Sequence, residues 1–209
     1  KLEEIPKKTD YVVIANETHK HLEYLNFIVE NTDAKKVLVE KPLFDDVYAF
    51  DPKEKSIFVG YNLRFHPLIN TLRDLLKGQI INAVYCSCHS YLPAWRKERH
   101  FSESYSAREH GGGVILDLSH EIDLLLWLFG NIEIDFTKVG NFSTLKIDSE
   151  DSMFLSGHID NGSPIELSLS YFSTIERRQI HVVTEESTYL VDLVNNIIYS
   201  RDKNLSIEE

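Results

Sequence analysis

Residues 36–42 read Lys36-Val-Leu-Val-Glu-Lys-Pro42, and this stretch decides the fold class of the first third of the chain. Three consecutive apolar residues, two of them β-branched, are typical of a strand that is buried on both faces of a parallel sheet. Proline has no N–H to donate to a sheet, so we expect the strand to end at Pro42. The residue before a proline is kept out of the helical region, so Lys41 is expected to be extended at the strand's carboxyl end.

Two further apolar runs flank this strand and predict a parallel sheet. They are Tyr11-Val-Val-Ile-Ala15 and Ser56-Ile-Phe-Val-Gly60. Parallel neighbours need a crossover between them, and a helix with Thr18 as its N-cap is expected after the first run. The apolar residues of that helix keep helical spacing: Leu22, Leu25, Ile28 and Val29. A short helix and a polar loop are expected over residues 43–54.

The second half of the chain predicts an antiparallel sheet packed on helices. A helix over Pro67–Lys77 should end at Gly78, and a long strand should follow over Gln79–Leu92. An irregular polar and aromatic loop is expected next, and then a helix opened by Gly111-Gly-Gly113. The later strands are Phe154–Ile159, Ile165–Tyr171, Ile180–Val183, Tyr189–Leu193 and Ile197–Tyr199, separated by turn signals such as Asp160-Asn-Gly162. The fold class is therefore α/β followed by α+β.

Composition and charge restrict the partners of the chain. Its 209 residues carry 22 Lys+Arg and 33 Asp+Glu, so the formal net charge is −11. Nucleic acids and anionic membranes attract basic surfaces, so neither is expected as a partner. No apolar run approaches the roughly 18 residues of a membrane span. Cys86 and Cys88 are expected to be two buried thiols of a reducing compartment, which favours a cytoplasmic location.

Lys41 is the first candidate for chemistry. Ligands of open α/β sheets bind just outside the carboxyl ends of the strands, which is where Lys41 is expected. A lysine in such a place can lose solvent and take part in proton transfer. The alternative interpretation is a surface lysine that simply ends a strand.

The second candidate is the helix that follows the three glycines. At about 100° per residue, Asp117, His120 and Glu121 fall within one arc of this helix, opposite an apolar face. A carboxylate three residues before a histidine can orient the imidazole and stabilise its charged form. The alternative is an amphipathic helix with solvated polar residues.

Two kinds of site find no support in the sequence. No His-Glu-x-x-His or other zinc spacing is present, so no metal site is expected. A dinucleotide-binding domain should show Gly-x-Gly-x-x-Gly after its first strand, yet the one Gly-x-Gly, Gly111 to Gly113, has Leu116 at the sixth position. Because the chain also starts at Lys1 and has Met153 as its single methionine, we expect a fragment of a longer protein.

Taken together, the motifs resemble the glucose–fructose oxidoreductase, inositol dehydrogenase and MocA family. They occur in the family's order and span nearly the whole chain. The matching segments are Asp10–Ala15 with Thr18 and His21, Val37–Pro42, Gly60–Pro67, Gly111–Asp123, and Glu150-Asp151 followed by Asp160-Asn-Gly162.

The resemblance implies a nucleotide-binding domain and a domain with a large, open, mainly antiparallel sheet. Residues 1–64 would be the end of a truncated dinucleotide-binding domain, and residues 65–209 the substrate-binding and oligomerisation domain. It implies NAD or NADP as cofactor, a sugar, cyclitol or sugar derivative as substrate, and a homodimer or tetramer formed through the open sheet.

The resemblance also implies roles for individual residues. Lys41, His120 and Asp117 would be catalytic, with His120 as the acid/base on the substrate hydroxyl. The cofactor-binding set would be Thr18, His21, Glu40, Lys41, Pro42 and Arg64. The substrate-binding set would be Tyr61, Trp95, Arg96 and His120.

Two functions therefore stand at this point. The first is an NAD(P)-dependent oxidoreductase that transfers a hydride between the nicotinamide and a hydroxyl or carbonyl of the substrate. The second is a non-catalytic sugar-binding or oligomerisation module of a pseudo-oxidoreductase. Lys41, Asp117 and His120 favour the first, whereas the missing glycine-rich turn favours the second for the chain by itself.

We expect this chain alone to bind NAD weakly or not at all. The glycine turn and the helix N-terminus that hold the pyrophosphate are not found in its sequence. Isothermal calorimetry with NAD and with NADP checks this expectation. Binding of either nucleotide at micromolar strength would contradict it.

Overall fold

A computed structural model describes residues 2–96, 98, 100–108, 111–201 and 205–206. The chain divides into two compact units, Lys1–Tyr61 with His110–Gly112, and Asn62–Glu109 with Gly113–Glu209. Within the described residues, none of the helices has the length and apolar character that a membrane crossing requires.

The first unit contains the predicted parallel sheet. Its elements are a 3-10 turn Leu2–Glu4, β1 Tyr11–Ile14, a 3-10 turn Thr18–Lys20, α1 His21–Asn31, β2 Lys36–Val39 and β3 Ser56–Val59. The strands lie in the order β1-β2-β3 and both pairs are parallel. One face of the sheet packs on α1, and the residues buried there are Ile14, Leu25, Ile28, Val37 and Val39.

Two local expectations for this unit are wrong. Thr18 does not cap α1, because the chain enters the helix through the 3-10 turn and Lys20 occupies the N-cap position without a side-chain bond. Residues 43–54 form no helix. Aspartates in that stretch bond nearby groups instead, for example Asp46 Oδ1 with the Val47 N–H at 2.7 Å and Asp51 Oδ1 with the Lys53 N–H at 2.8 Å. Such local bonds compete with helix formation.

The second unit contains a large mixed sheet. Its helices are α2 Pro67–Leu75, α3 Val114–Asp117 and α4 Ser119–Phe129, with 3-10 turns at Asn62–Phe65, Leu92–Ala94, Phe101–Glu103 and Tyr105–Ala107. Its strands are β4 Ile81–Tyr91, β5 Ile132–Gly140, β6 Ser152–Ile159, β7 Pro164–Ser170, β8 Phe172–Thr184, β9 Thr188–Asp192, β10 Ile197–Ser200 and β11 Leu205–Ser206. They lie in the order β11-β10-β9-β8-β4-β7-β6-β5. The β4–β7 pair is parallel and the other pairs are antiparallel.

Most predicted elements of this unit are confirmed, with differences in length. The hairpin at Asp160-Asn-Gly162 joins β6 to β7, and Gly162 has a φ of +84° that suits glycine. β8 is much longer than the predicted Ile180–Val183, because its first half is charged and shows no apolar alternation. The predicted single helix from residue 113 to Phe129 is interrupted at Leu118, whose φ and ψ of −98° and 25° are not helical.

The two faces of the large sheet differ in character. α2, α3 and α4 all contact the same face, where the core includes Leu72, Val84, Leu124, Leu167 and Ile180. The opposite face carries partly exposed aromatic and polar side chains, among them Tyr85 against His181 and Phe136 against Phe154. Serine and histidine alternate with the aromatic residues on this face: Ser87, His89, Ser156, His158 and Ser168.

Candidate active site

Lys41 follows directly on β2, as the sequence predicts. The Glu40 N–H donates to the Ile14 carbonyl at 2.8 Å, so the chain stays beside β1 up to this point. Lys41 is partly exposed, its own N–H lies 3.3 Å from Glu40 Oε2, and the Lys41–Pro42 peptide bond is cis. The lysine therefore stands at the carboxyl end of a parallel strand, where ligands of such sheets bind.

His21 holds this segment in place. Its ring is fully buried, and Nδ1 lies 3.1 Å from the carbonyl oxygens of both Pro42 and Leu43. Nε2 lies 3.2 Å from the Asn16 carbonyl oxygen. The imidazole thus links the segment after β1 to the segment after β2. With both ring nitrogens occupied by main-chain oxygens, its contribution to a site is to position Lys41.

Thr18 and Tyr61 are the other predicted site residues of this unit, and both are partly exposed. Thr18 begins the 3-10 turn before α1, and the Tyr61 N–H donates to the Val59 carbonyl at 2.8 Å beyond β3. Beside them, both side-chain amide atoms of Asn16 are buried without a hydrogen-bond partner among the described residues. Buried amides are rarely left without hydrogen bonds, so the Asn16 side chain at the carboxyl end of β1 can donate to and accept from a further polar group.

Gly113, the last of the three glycines before α3, makes room for a carboxylate of the chain itself. Gly113 has a φ of +102°, and a Cβ there would lie 2.2 Å from Glu150 Oε1. That carboxylate accepts a hydrogen bond from the Ile115 N–H at 3.1 Å, and the Glu150 carbonyl accepts one from the Val114 N–H at 3.2 Å. A negative charge is favourable at a helix N-terminus. The close approach that Gly113 allows therefore serves Glu150.

Asp117 is buried and lies between two tyrosines. The Tyr171 hydroxyl donates to Asp117 Oδ2 at 2.6 Å, and the Tyr105 hydroxyl donates to the same carboxylate. Burial, and then the charge of Asp117, raise the pKa of Tyr105 to about 12 and that of Tyr171 further. Both phenols therefore stay protonated near neutral pH and keep Asp117 as a hydrogen-bond acceptor.

Glu121 is also buried, like Asp117, so the alternative interpretation of a helix with solvated polar residues does not describe these two side chains. Glu121 Oε1 accepts a hydrogen bond from Arg178 Nε at 2.6 Å, which ties α4 to β8. The thiols of Cys86 and Cys88 are free and buried nearby. Burial, and then Glu121, raise both thiol pKa values, that of Cys88 to about 12. The thiols are therefore protonated and unreactive at neutral pH.

His120 lies on α4, and Arg64 binds a carboxylate of the same helix. His120 lies in the first turn of α4 and is partly exposed, in contrast to its buried neighbours Asp117 and Glu121. Arg64 Nε donates to Asp123 Oδ2 at 2.8 Å, and the guanidinium lies 5.8 Å from the centre of the Trp127 ring. Arg64 is thus engaged by its own unit, although its side chain keeps some exposure.

Trp95 and Arg96, in the loop after β4, contact the two tyrosines that lie beside Asp117. The Trp95 ring meets the Tyr171 ring edge-on, with 5.3 Å between centroids, and the Arg96 guanidinium lies 5.7 Å from the centre of the Tyr105 ring. A small pocket is lined by Leu92, Trp95, Arg96, Phe101 and Ser104. Arg99 and His110 of this loop lie outside the described residues.

Sequence reasoning missed four residues that build this site: Tyr105, Tyr171, Glu150 and Arg178. Tyr171 is 54 positions from Asp117, and Arg178 is 57 positions from Glu121. No local pattern connects residues at such separations. The burial of a carboxylate on a helix would have been the one usable signal, because a buried charge requires a partner.

Residues 69–190 match the GFO/IDH/MocA C-terminal domain, and this segment makes up more than half of the chain. The chain belongs to the GFO/IDH/MocA family. Its membership confirms the resemblance drawn from the motifs and the fold class predicted from the sequence.

Three relatives illustrate the similarity. The 2,7-anhydro-N-acetylneuraminate hydratase of Escherichia coli strain K12 is 26% identical over 141 residues, which are 64% of this chain and 37% of that protein. The UDP-N-acetylglucosamine 3-dehydrogenase of Acidithiobacillus ferrooxidans superposes with a TM-score of 0.73 and 19% identity, over 99% of this chain and 64% of that one. The WlbA dehydrogenase of Bordetella pertussis, in complex with NADH and UDP-GlcNAcA, gives a TM-score of 0.78 and 20% identity, over 100% and 61%.

The chain therefore spans about a third of the curated relative and less than two thirds of these two solved structures. Sequence identities of 19% and 20% show that the fold is shared. The family assignment also accounts for the motif order along the chain.

We predict that Gly113→Ala destabilises the protein more than Gly162→Ala. Both glycines have positive φ, which costs an alanine roughly 1–2 kcal/mol. Only at Gly113 does the new methyl group also displace the Glu150 carboxylate from the helix N-terminus, which costs about 1 kcal/mol more. Urea unfolding of the two variants checks this, and equal losses of unfolding free energy would contradict it.

Proposed function

We propose that the protein carrying this chain is an NAD(P)-dependent oxidoreductase. It would transfer a hydride between a nicotinamide cofactor and a hydroxyl or carbonyl group of a sugar, cyclitol or sugar derivative. The observation that supports this most directly is the pair Asp117 and His120 in a GFO/IDH/MocA domain: a buried carboxylate three residues before a partly exposed histidine. The NADH and UDP-GlcNAcA bound by the Bordetella relative support the cofactor and the substrate class.

The residues at the carboxyl ends of β1 and β2 suit a nicotinamide cofactor. Lys41 offers a cation, Glu40 a carboxylate and Asn16 an amide without a partner among the described residues. Pro42, Thr18 and His21 would shape this edge, and Arg64 completes the proposed set. The cofactor, NAD or NADP, would accept or supply the hydride.

The proton that accompanies the hydride is assigned to His120. Oxidation of an alcohol releases a hydroxyl proton, which needs a base within hydrogen-bond reach. Imidazole is the side chain whose ordinary pKa lies closest to neutral pH, and His120 is partly exposed. Lys41 would stabilise the alkoxide that develops on the substrate. Asp117, fixed by two phenols, would tune the histidine and not act as the base.

Substitution of His120 and Lys41 tests these roles. In the full-length protein, His120→Ala and Lys41→Ala should each lower turnover at least ~100-fold and leave cofactor affinity nearly unchanged, because positioned acid–base groups contribute about 10²- to 10⁴-fold. Asp117→Asn should cost less. The measurements are nicotinamide absorbance for turnover and calorimetry for cofactor binding, with a screen of sugars and cyclitols and with both cofactors.

The matched control is His181→Ala, which removes a partly exposed histidine from the open sheet face. It should leave turnover unchanged. If His120→Ala keeps more than about a tenth of the turnover, the assignment of the base is wrong. Lys41 or a loop residue such as His110 would then take its place.

The non-catalytic module is the second candidate. The identities of 19% and 20% with solved relatives show a shared fold, and a fold can be kept for sugar binding or assembly without turnover. A full-length protein that binds sugars but turns over neither cofactor with any of them would support this module against the enzyme.

We also propose that the open face of the large sheet forms a homodimer or tetramer in the cytoplasm. The supporting features are its partly exposed aromatic side chains, including Tyr85, Phe136 and Phe154. Aromatic residues are enriched at protein interfaces. The two free cysteines, Cys86 and Cys88, support a reducing compartment.

Light scattering tests this assembly. The wild type should be at least dimeric at micromolar concentration, and Phe154→Lys should shift it toward the monomer, because the lysine would have to be desolvated at the interface. Val47→Lys is the control, since Val47 is almost fully exposed in the first unit. A strictly monomeric wild type would contradict the proposal.

A further inference from the structure

Resting on the proposed function, we infer that Arg96 recognises an anionic group of the sugar-like substrate, a carboxylate or a phosphate. Trp95 stands beside it and would provide an apolar surface for the sugar ring. The inference depends on three features of the second unit: an exposed guanidinium with no acidic partner among the described residues, a framework that holds it, and an exposed aromatic surface beside it.

The charge of Arg96 is not neutralised by the part of the chain that the structure describes. Two other arginines of this unit are bound by carboxylates: Arg64 by Asp123 and Arg178 by Glu121. Arg96 is exposed, and among the described residues its recorded contact is the Tyr105 ring, not an acidic group. Its planar fork of N–H donors therefore remains available to a ligand carboxylate or phosphate.

A framework of side chains restrains the position of this guanidinium. Arg96 lies over Tyr105, whose hydroxyl binds the buried Asp117. Asp117 also accepts the Tyr171 hydroxyl, and Tyr171 packs against Trp95. The contacts therefore form a closed series that begins at Arg96 and ends at Trp95, the residue that precedes Arg96 in the chain. A restrained donor loses less conformational freedom on binding than a mobile surface arginine, so its hydrogen bonds add more to affinity.

The surface around Arg96 has the chemistry that an acidic sugar needs. Trp95 supplies an exposed aromatic face beside the guanidinium, and the depression that it lines with Leu92, Phe101 and Ser104 has room for about one water molecule, so a sugar ring would lie across its mouth. Arg96 is the charged member of this set. Aromatic faces with a few well-placed polar groups are typical of sites for small ligands, and paired N–H donors suit the two oxygens of a carboxylate or phosphate.

Because the chain is acidic overall, an anionic ligand needs a local cation such as Arg96 to bind. A formal net charge of −11 repels anionic ligands at long range. The buried acid of the framework, Asp117, accepts hydrogen bonds from the hydroxyls of Tyr171 and Tyr105, and the guanidinium lies against the Tyr105 ring.

The experiment compares sugars that differ in their anionic group. Glucose, glucuronate and glucose 6-phosphate are titrated by calorimetry into the full-length protein, as wild type, Arg96→Ala, Arg96→Lys and the control Arg177→Ala. Arg177 is an exposed arginine of β8 outside the pocket. Thermal unfolding of each variant verifies that the fold is intact. Glucuronate against glucose 6-phosphate distinguishes a carboxylate from a phosphate ligand.

We expect the wild type to bind one anionic sugar at least ~10-fold more tightly than glucose, the size of one charge-assisted hydrogen bond. Arg96→Ala should remove this preference and change glucose binding less than about 2-fold, because the neutral ring does not use the charge. Arg96→Lys should keep part of the preference, and Arg177→Ala all of it.

Two results would overturn the inference: a wild type that does not prefer the anionic sugars, or an anion preference that survives in Arg96→Ala. The proposed function fails independently, if the same full-length protein shows an Arg96-dependent anion preference but no nicotinamide turnover with any sugar. Turnover of neutral sugars that Arg96→Ala leaves unchanged would uphold the oxidoreductase and reject the role of Arg96.

Discussion

The burial of Asp117 is the constraint on which the second unit depends. A buried carboxylate is strongly unfavourable unless hydrogen-bond donors meet it, and here Tyr105 and Tyr171 do so. The two phenols come from different parts of the chain, one from the loop after β4 and one from the end of β7. Tyr171 also uses its main chain, since its carbonyl accepts the Leu92 N–H at 2.8 Å. One carboxylate therefore fixes the start of a helix, a loop and a strand end relative to one another.

The same solution recurs at other acidic side chains of this unit. Glu150 satisfies the first N–H groups of α3, Glu121 binds Arg178, and Asp151 accepts the N–H groups of Phe142 and Ser143 at 2.8 and 2.9 Å. These acids are structural. Lys41, His120 and Arg96, to which we assign the proposed reactive and binding functions, each keep solvent exposure. A rigid frame of satisfied acids is what a precisely placed base requires.

Local sequence patterns were reliable where the physical cause is local. β2 ends at Val39, just before the Glu40-Lys41-Pro42 segment, because proline cannot continue a ladder, and the turn at Asn161-Gly162 joins two strands because glycine accepts a positive φ. The prediction for the glycine-rich helix was incomplete in one respect. Helical spacing placed Asp117, His120 and Glu121 on one arc opposite an apolar face, but periodicity describes angle only and does not show that distant partners bury two of the three.

By itself the sequence determined the parallel strand–helix–strand start, the sheet-rich second half, the position of Lys41 after β2 and the membership of a family. Each of these follows from short-range rules of backbone geometry or from ordered motifs. Only the tertiary structure decided which acids are structural and which carboxylate Gly113 accommodates. Those answers rest on contacts between residues 35, 54 and 57 positions apart. Contacts of this range form when the sheet folds against its helices, and no local preference of the chain encodes them.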